Sequence, residues 1–142
     1  KEYKYVTIIR DPIQRVRSHY QMFQKAKVNS ASRGFINFLR YCPEVKNLYC
    51  QYFSGLVGET VDERIFKIAY NNIKYFKGVI LFENYNQEIN KFFKNFDILE
   101  VKAEFHANKS LHKELSKNEI EAIKIYNYWD LKLYEEILKT KN

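Results

Sequence analysis

The chain has 142 residues, enough for one domain that buries about two-thirds of the surface its unfolded form exposes. Hydrophobic residues make up 46% of it and aromatics 17%, so a real core is available. Two cysteines exclude a disulfide framework, no Cys/His cluster has zinc spacing, and no apolar run reaches the ~18 residues of a membrane span. The formal net charge of +7 suits an anionic partner such as nucleotide, nucleic acid, membrane surface or acidic glycan, and equally a lysine-rich solvated face.

Tyr3 to Ile9 reads as a strand. Its Val6-Thr7-Ile8-Ile9 run is rich in β-branched residues and suits burial on both faces of a parallel sheet. Asp11 can cap the next helix and Pro12 is pre-set for its first turn. That helix is expected to reach about Lys27, with Ile13, Val16, Tyr20 and Phe23 at helical spacing. "VNSASRG" reads as a polar loop, and "FINFLRYC" as a short helix before Pro43. "NLYCQYFSGLVGETVDE" looks irregular, helical only at its start. Asp62 can cap a helix from Glu63 to about Phe76, and Gly78 punctuates before the second strand, "GVILF".

Residues 85 to 95 read as a helix with Ile89, Phe92, Phe93 and the adjoining Phe96 inward, and "ILEVKAEF" as an edge strand. Ser116 and Glu119 form a capping box that opens one long helix to about Lys139. Strands separated by helices give an α/β class with a small parallel sheet and predominant helices. Cys42 and Cys50 lie in aromatic company and read as buried free thiols.

Ligands of open α/β sheets gather at the carboxyl ends of strands, beside the first turn of the next helix. Arg10 falls there, where its guanidinium can grip a phosphate beside free helix N–H groups. Arg15 and Ser18, three apart, can share one helix face, and Ser18 can add a hydroxyl donor to the same anion. His19 points roughly 100° away from Ser18 around the helix. His106, His112 and His19 are each weak candidates for acid–base work, whereas Glu83, Asp130 and Tyr134 read as structural positions.

Arg10-Asp11-Pro12-x-x-Arg15-x-x-Ser18-x-Tyr20 resembles the 3′-phosphate-binding motif of sulfotransferases that use 3′-phosphoadenosine 5′-phosphosulfate (PAPS). The likeness is to the branch with the carbohydrate 2-O-sulfotransferases and their bacterial relatives. "NLYCQYFSG", "AYNNIKYFKGVILFENYNQEINKFF" and "HANKSLHKELSKNEIEAIKIYNYWDLKLYEE" resemble later segments of that family, in its order. The resemblance implies a P-loop-NTPase-like sulfotransferase fold, with 1–142 as the C-terminal portion of one domain. It assigns the 3′-phosphate to Arg10 and Ser18, with Arg15 beside them, and brings the loop carrying Asn108, Lys109 and Ser110 near the cofactor. The implied ligands are PAPS, its product adenosine 3′,5′-bisphosphate (PAP), and a hydroxyl acceptor, carbohydrate first; no metal is implied.

The family's strand, Lys- and Gly-containing phosphosulfate loop and helix precede this motif, as does its usual catalytic base. Here only four residues precede the strand's apolar run, and the four glycines form no phosphate loop. The fold is therefore expected to be N-terminally incomplete, the base to lie upstream of Lys1, and this chain alone to be inactive. An uncovered sheet edge is expected to favour self-association. The expected compartment is the cytoplasm, or the Golgi lumen for a eukaryotic type II membrane enzyme. Two other classes stay open: a non-catalytic nucleotide- or nucleic-acid-binding module using the Arg10–Ser18 corner, and a structural remnant that holds a partner.

Overall fold

The computed structural model describes residues 4–94 and 114–141. The chain is α/β and mostly helical, and it divides into two compact units. One comprises Lys1–Arg10 with Tyr75–Glu114, the other Asp11–Lys74 with Leu115–Asn142. Among the described residues no helix is long and apolar enough to cross a membrane.

The first unit holds the sheet. Strands β1 (Val6–Ile9) and β2 (Gly78–Leu81) pair in parallel, with Val6 opposite Gly78 and Ile9 opposite Leu81. A bond from Lys77 N–H to the Tyr5 carbonyl (2.8 Å) extends the ladder by one step. Both strands were legible from their apolar runs, but the expected burial of β1 on both faces is corrected. Ile9 is 1% exposed, whereas Val6 and Ile8 are 39% and 47% exposed. Successive strand residues alternate faces, and here Val6 and Ile8 share the open one. Among the described residues β1 pairs with β2 alone. The expected edge strand at 98–105 lies outside the described residues.

After β2 a 3₁₀ turn, Phe82–Asn84, leads into a helix, Tyr85–Lys94, that packs on β2. Glu88 reaches back from it, its Oε2 accepting the Leu81 N–H at 3.0 Å. Gly78 permits the approach, because a Cβ there would stand 2.6 Å from Cε2 of Phe92.

The second unit is helical: α1 (Pro12–Lys25), α2 (Asn29–Ser32), α3 (Phe35–Tyr41), α4 (Leu48–Ser54) and α5 (Glu63–Ile73). Counting the sheet unit's helix as α6, the C-terminal pair is α7 (Lys117–Tyr126) and α8 (Tyr128–Lys141). Asp11 Oδ1 accepts the Gln14 N–H (2.9 Å) to cap α1, and Asp62 Oδ1 accepts the Ile65 N–H (2.9 Å) to cap α5. The expected capping box at Ser116 is present in both directions.

Val16, Phe35, Phe38, Leu39, Val45 and Ile123 form the core, joining α1, α3 and α7. Phe38 is fully buried, with Tyr20 and Phe23 rings 5.1 and 5.7 Å from its own. Burial of one such side chain contributes about 1.5–3 kcal/mol.

Three expectations at element level are corrected. "VNSASRG" contains the short helix α2, started by the Ala31 N–H bonding the Val28 carbonyl (3.0 Å). The helix from Glu63 stops at Ile73 rather than Phe76. The long terminal helix is two helices, broken at Asn127. The segment after α4 is irregular as expected, and Gln51 holds it: its Nε2 donates to the Lys46 carbonyl (2.8 Å) and its Oε1 accepts the Gly58 N–H (2.7 Å).

Gly78→Val should destabilise the protein by about 1–3 kcal/mol, since the added methyls meet the Phe92 ring. Urea unfolding measures this, and Phe92→Leu added to Gly78→Val should recover part of the loss.

Candidate functional site

Strand-end arginine and helix start are two residues apart in the chain, and the unit boundary falls between Arg10 and Asp11. In the sheet unit, the parallel register places Ile9 beside Leu81, so the residues that follow each strand emerge at one edge. There the Arg10 guanidinium lies over the Phe82 ring, 4.8 Å from its centroid. Such a cation–ring contact stabilises by about 0.5–1 kcal/mol at exposed sites and steers the side chain. Glu83, next in the chain, is exposed.

In the helical unit, α1 opens with Pro12 at its first position and no acidic residue in its first turn. The partial positive charge of its N-terminus is therefore offset locally by the Asp11 cap. Ser18 lies one turn beyond Gln14 and is half-buried. Asn108, Lys109 and Ser110, with His106 and His112, lie outside the described residues.

Arg15, expected beside the anion, is bonded to three protein acceptors. Its Nη2 donates to the Val45 carbonyl (3.0 Å), to Asn127 Oδ1 (2.8 Å) and to Asp130 Oδ2 (3.3 Å). The Tyr49 ring covers the guanidinium at 5.0 Å. Only 10% of the Arg15 side chain is exposed, and none of Asp130.

This ion pair sits inside a two-way capping arrangement. Asp130, in the first turn of α8, accepts two N–H groups from the first turn of α4: Tyr49 at 3.0 Å on Oδ2 and Cys50 at 2.9 Å on Oδ1. Asn47, the residue before α4, returns the service to α8. Its Oδ1 accepts the N–H groups of Trp129 (3.0 Å) and Asp130 (3.1 Å), while its own N–H donates to Asn127 Oδ1 (3.0 Å). Each helix thus caps the other's orphan donors. Asn47 has a left-handed backbone (φ 47°), a conformation Asn tolerates better than most residues.

Burial pushes the Asp130 carboxyl upward, and the Arg15 guanidinium and the two N–H groups pull it back. The structural reading of Asp130 agrees with this geometry. Asn47 and Asn127 were not singled out from sequence. A signal existed: Asn127 and Asp130 lie on the same stripe as Ile123, Leu133 and Ile137, and a polar residue on a buried stripe requires a partner.

His19 stacks edge-on against Phe23 (4.8 Å). Burial first, and the Arg15 charge second, hold its pKa below the ordinary 6.5. Both thiols are free and buried, as expected. Burial, with help from Glu44, pushes the Cys42 thiol up to about 12, and burial with the Asp130 charge pushes Cys50 upward, both away from the thiolate form. Among the described residues no group of three His, Cys, Asp or Glu could hold a metal ion.

No family model matches the chain, and no curated protein or solved structure matches it.

Asn47→Gly keeps the left-handed backbone but leaves the Trp129 and Asp130 N–H groups without their acceptor, so it should cost about 1–3 kcal/mol in chemical unfolding. The lowered pKa of His19 means the unfolded chain takes up the proton first as pH falls. Its contribution to stability should therefore be present above pH 6.5 and lost as pH falls below it. Melting curves between pH 5 and 7.5 check this: the wild-type advantage over His19→Gln should shrink on acidification.

Proposed function

We propose that this chain is the 3′-phosphate-binding and C-terminal part of a PAPS-dependent sulfotransferase acting on a hydroxyl acceptor, carbohydrate by resemblance. The observation that carries the reading is the Arg10-Asp11-Pro12 sequence: in the chain, Arg10 follows a parallel strand that ends at Ile9, and Asp11 caps the helix that bears Ser18. A guanidinium at a strand end and the N–H groups of a following helix are the donors a phosphate dianion requires. In this reading Arg10 and Ser18 take the 3′-phosphate, as the sequence resemblance assigns them. PAPS, when bound, would supply the sulfuryl group: its bond to the 5′-phosphate oxygen would break as the acceptor oxygen bonds to sulfur, with the acceptor's proton passing to solvent or to a base outside this chain and PAP as the leaving product. What this chain contributes is binding and orientation. No catalytic base is assigned to it.

Titration calorimetry with PAP and with adenosine 5′-monophosphate tests the reading. PAP should bind saturably and more tightly. Arg10→Ala should weaken it about ten- to a hundred-fold, the effect of losing one charged hydrogen-bond partner, and leave the monophosphate nearly unchanged. Equal affinity for both nucleotides would overturn the 3′-phosphate assignment. Salt-sensitive binding of single-stranded nucleic acid in place of PAP would point to the nucleic-acid-binding alternative.

A further inference from the structure

We infer that Arg15 is a positioning residue for α1 and not a ligand of the anion. Its functional readout rests on the 3′-phosphate reading, while its structural readout does not. Two observations carry it. The first is access: Nη2 is engaged by three acceptors, and Nε and Nη1 are shut off from solvent with no partner among the described residues. The Tyr49 ring lies over the guanidinium, 5.0 Å from it, and 10% of the Arg15 side chain is exposed.

The second is charge. The first turns of α4 and α8 both direct N–H groups into the Asn47–Asp130 clasp, so two partial positive ends meet there. Asp130 offsets these ends, and the Arg15 guanidinium, itself a cation, adds to the positive charge there rather than to its neutralisation. What Arg15 adds is reach. Among the clasp's side chains it is the one that comes from α1, three residues before Ser18, and it ties that helix to the chain near Val45, Asn127 and Asp130. The tie fixes where α1's first turn and Ser18 stand within the helical unit.

The charge argument also predicts an asymmetry. Losing Asp130 leaves the guanidinium facing two helix N-termini, whereas losing Arg15 leaves a carboxylate that those same N-termini still stabilise.

The test is a double-mutant cycle in the full chain with Arg15→Met, Asp130→Leu and both together. Asp130→Leu should lower the melting temperature by roughly 10 °C or more, and Arg15→Met by less. Each should weaken PAP several-fold. The double variant should recover only the part of the Asp130→Leu loss caused by the unpaired guanidinium, and its PAP affinity should be no better than that of Arg15→Met, because the tie to α1 is missing from both. An Arg15→Met variant that binds PAP at least tenfold more weakly while its α1 amides from Val16 to Phe23 stay as protected from hydrogen exchange as in wild type would make Arg15 a ligand and overturn the inference.

Arg15→Lys covers the case in which the larger changes do not fold. An ammonium can keep a single bond to Asp130, so PAP affinity should stay within about threefold, whereas a lost bidentate phosphate contact would cost tenfold or more. Should the wild type bind no PAP, the 3′-phosphate reading fails separately. Hydrogen exchange then decides: α1 amides from Val16 to Phe23 should lose protection in Arg15→Met, and unchanged protection would overturn the inference.

Discussion

Two helices that begin face to face create an electrostatic problem, because each presents unpaired N–H groups and a partial positive end to the other. The helical unit resolves it by exchange. Asp130 from α8 accepts from α4, Asn47 from α4's approach accepts from α8, and Asn127 Oδ1 bridges Asn47 to Arg15. The break between α7 and α8 follows from this. A continuous helix through Asn127 would satisfy the Trp129 and Asp130 N–H groups internally and leave Asn47 Oδ1 without its donors. Core packing alone does not specify that break; the polar exchange does.

The remainder of the helical unit is conventional by comparison. Apolar faces of α1, α3 and α7 meet on Phe38 and its ring neighbours, and α4 and α5 pack side by side. Gln51 illustrates the same rule as the clasp on a smaller scale. It is a buried amide whose donor and acceptor are both used, and its two bonds hold a chain segment with no regular structure.

What the sequence revealed, and what it hid, divides by range. Signals a few residues long were readable: the strand runs, Asp11 before Pro12, Asp62 before α5, and the Ser116–Glu119 box. Features set by distant partners were not. Arg15 reads as a helix-surface cation until Asp130, 115 positions later, is seen beside it. Val6 and Ile8 read as two-faced core because β-branched residues serve buried and open faces alike, and only neighbouring elements decide which. Of the expected site, the Arg10 corner could be described from either side of the unit boundary, whereas the 106–112 loop lies outside the described residues.

The parallel pair β1–β2 joins residues 72 apart, from Val6 to Gly78, and the clasp joins residues 80 to 115 apart. Such contacts are costly to form early, since chain must be closed over that distance before any bond repays it. During synthesis, at about 5–20 residues per second, α1 and α4 leave the ribosome well before Asp130 does. In that interval the first N–H groups of α4 lack their Asp130 acceptor, and the Arg15 guanidinium lacks Asn127 and Asp130. The helical unit can therefore reach its final packing only after its last thirty or so residues have emerged, which makes the C-terminal helix pair the closing step in folding rather than an appendage to a finished core.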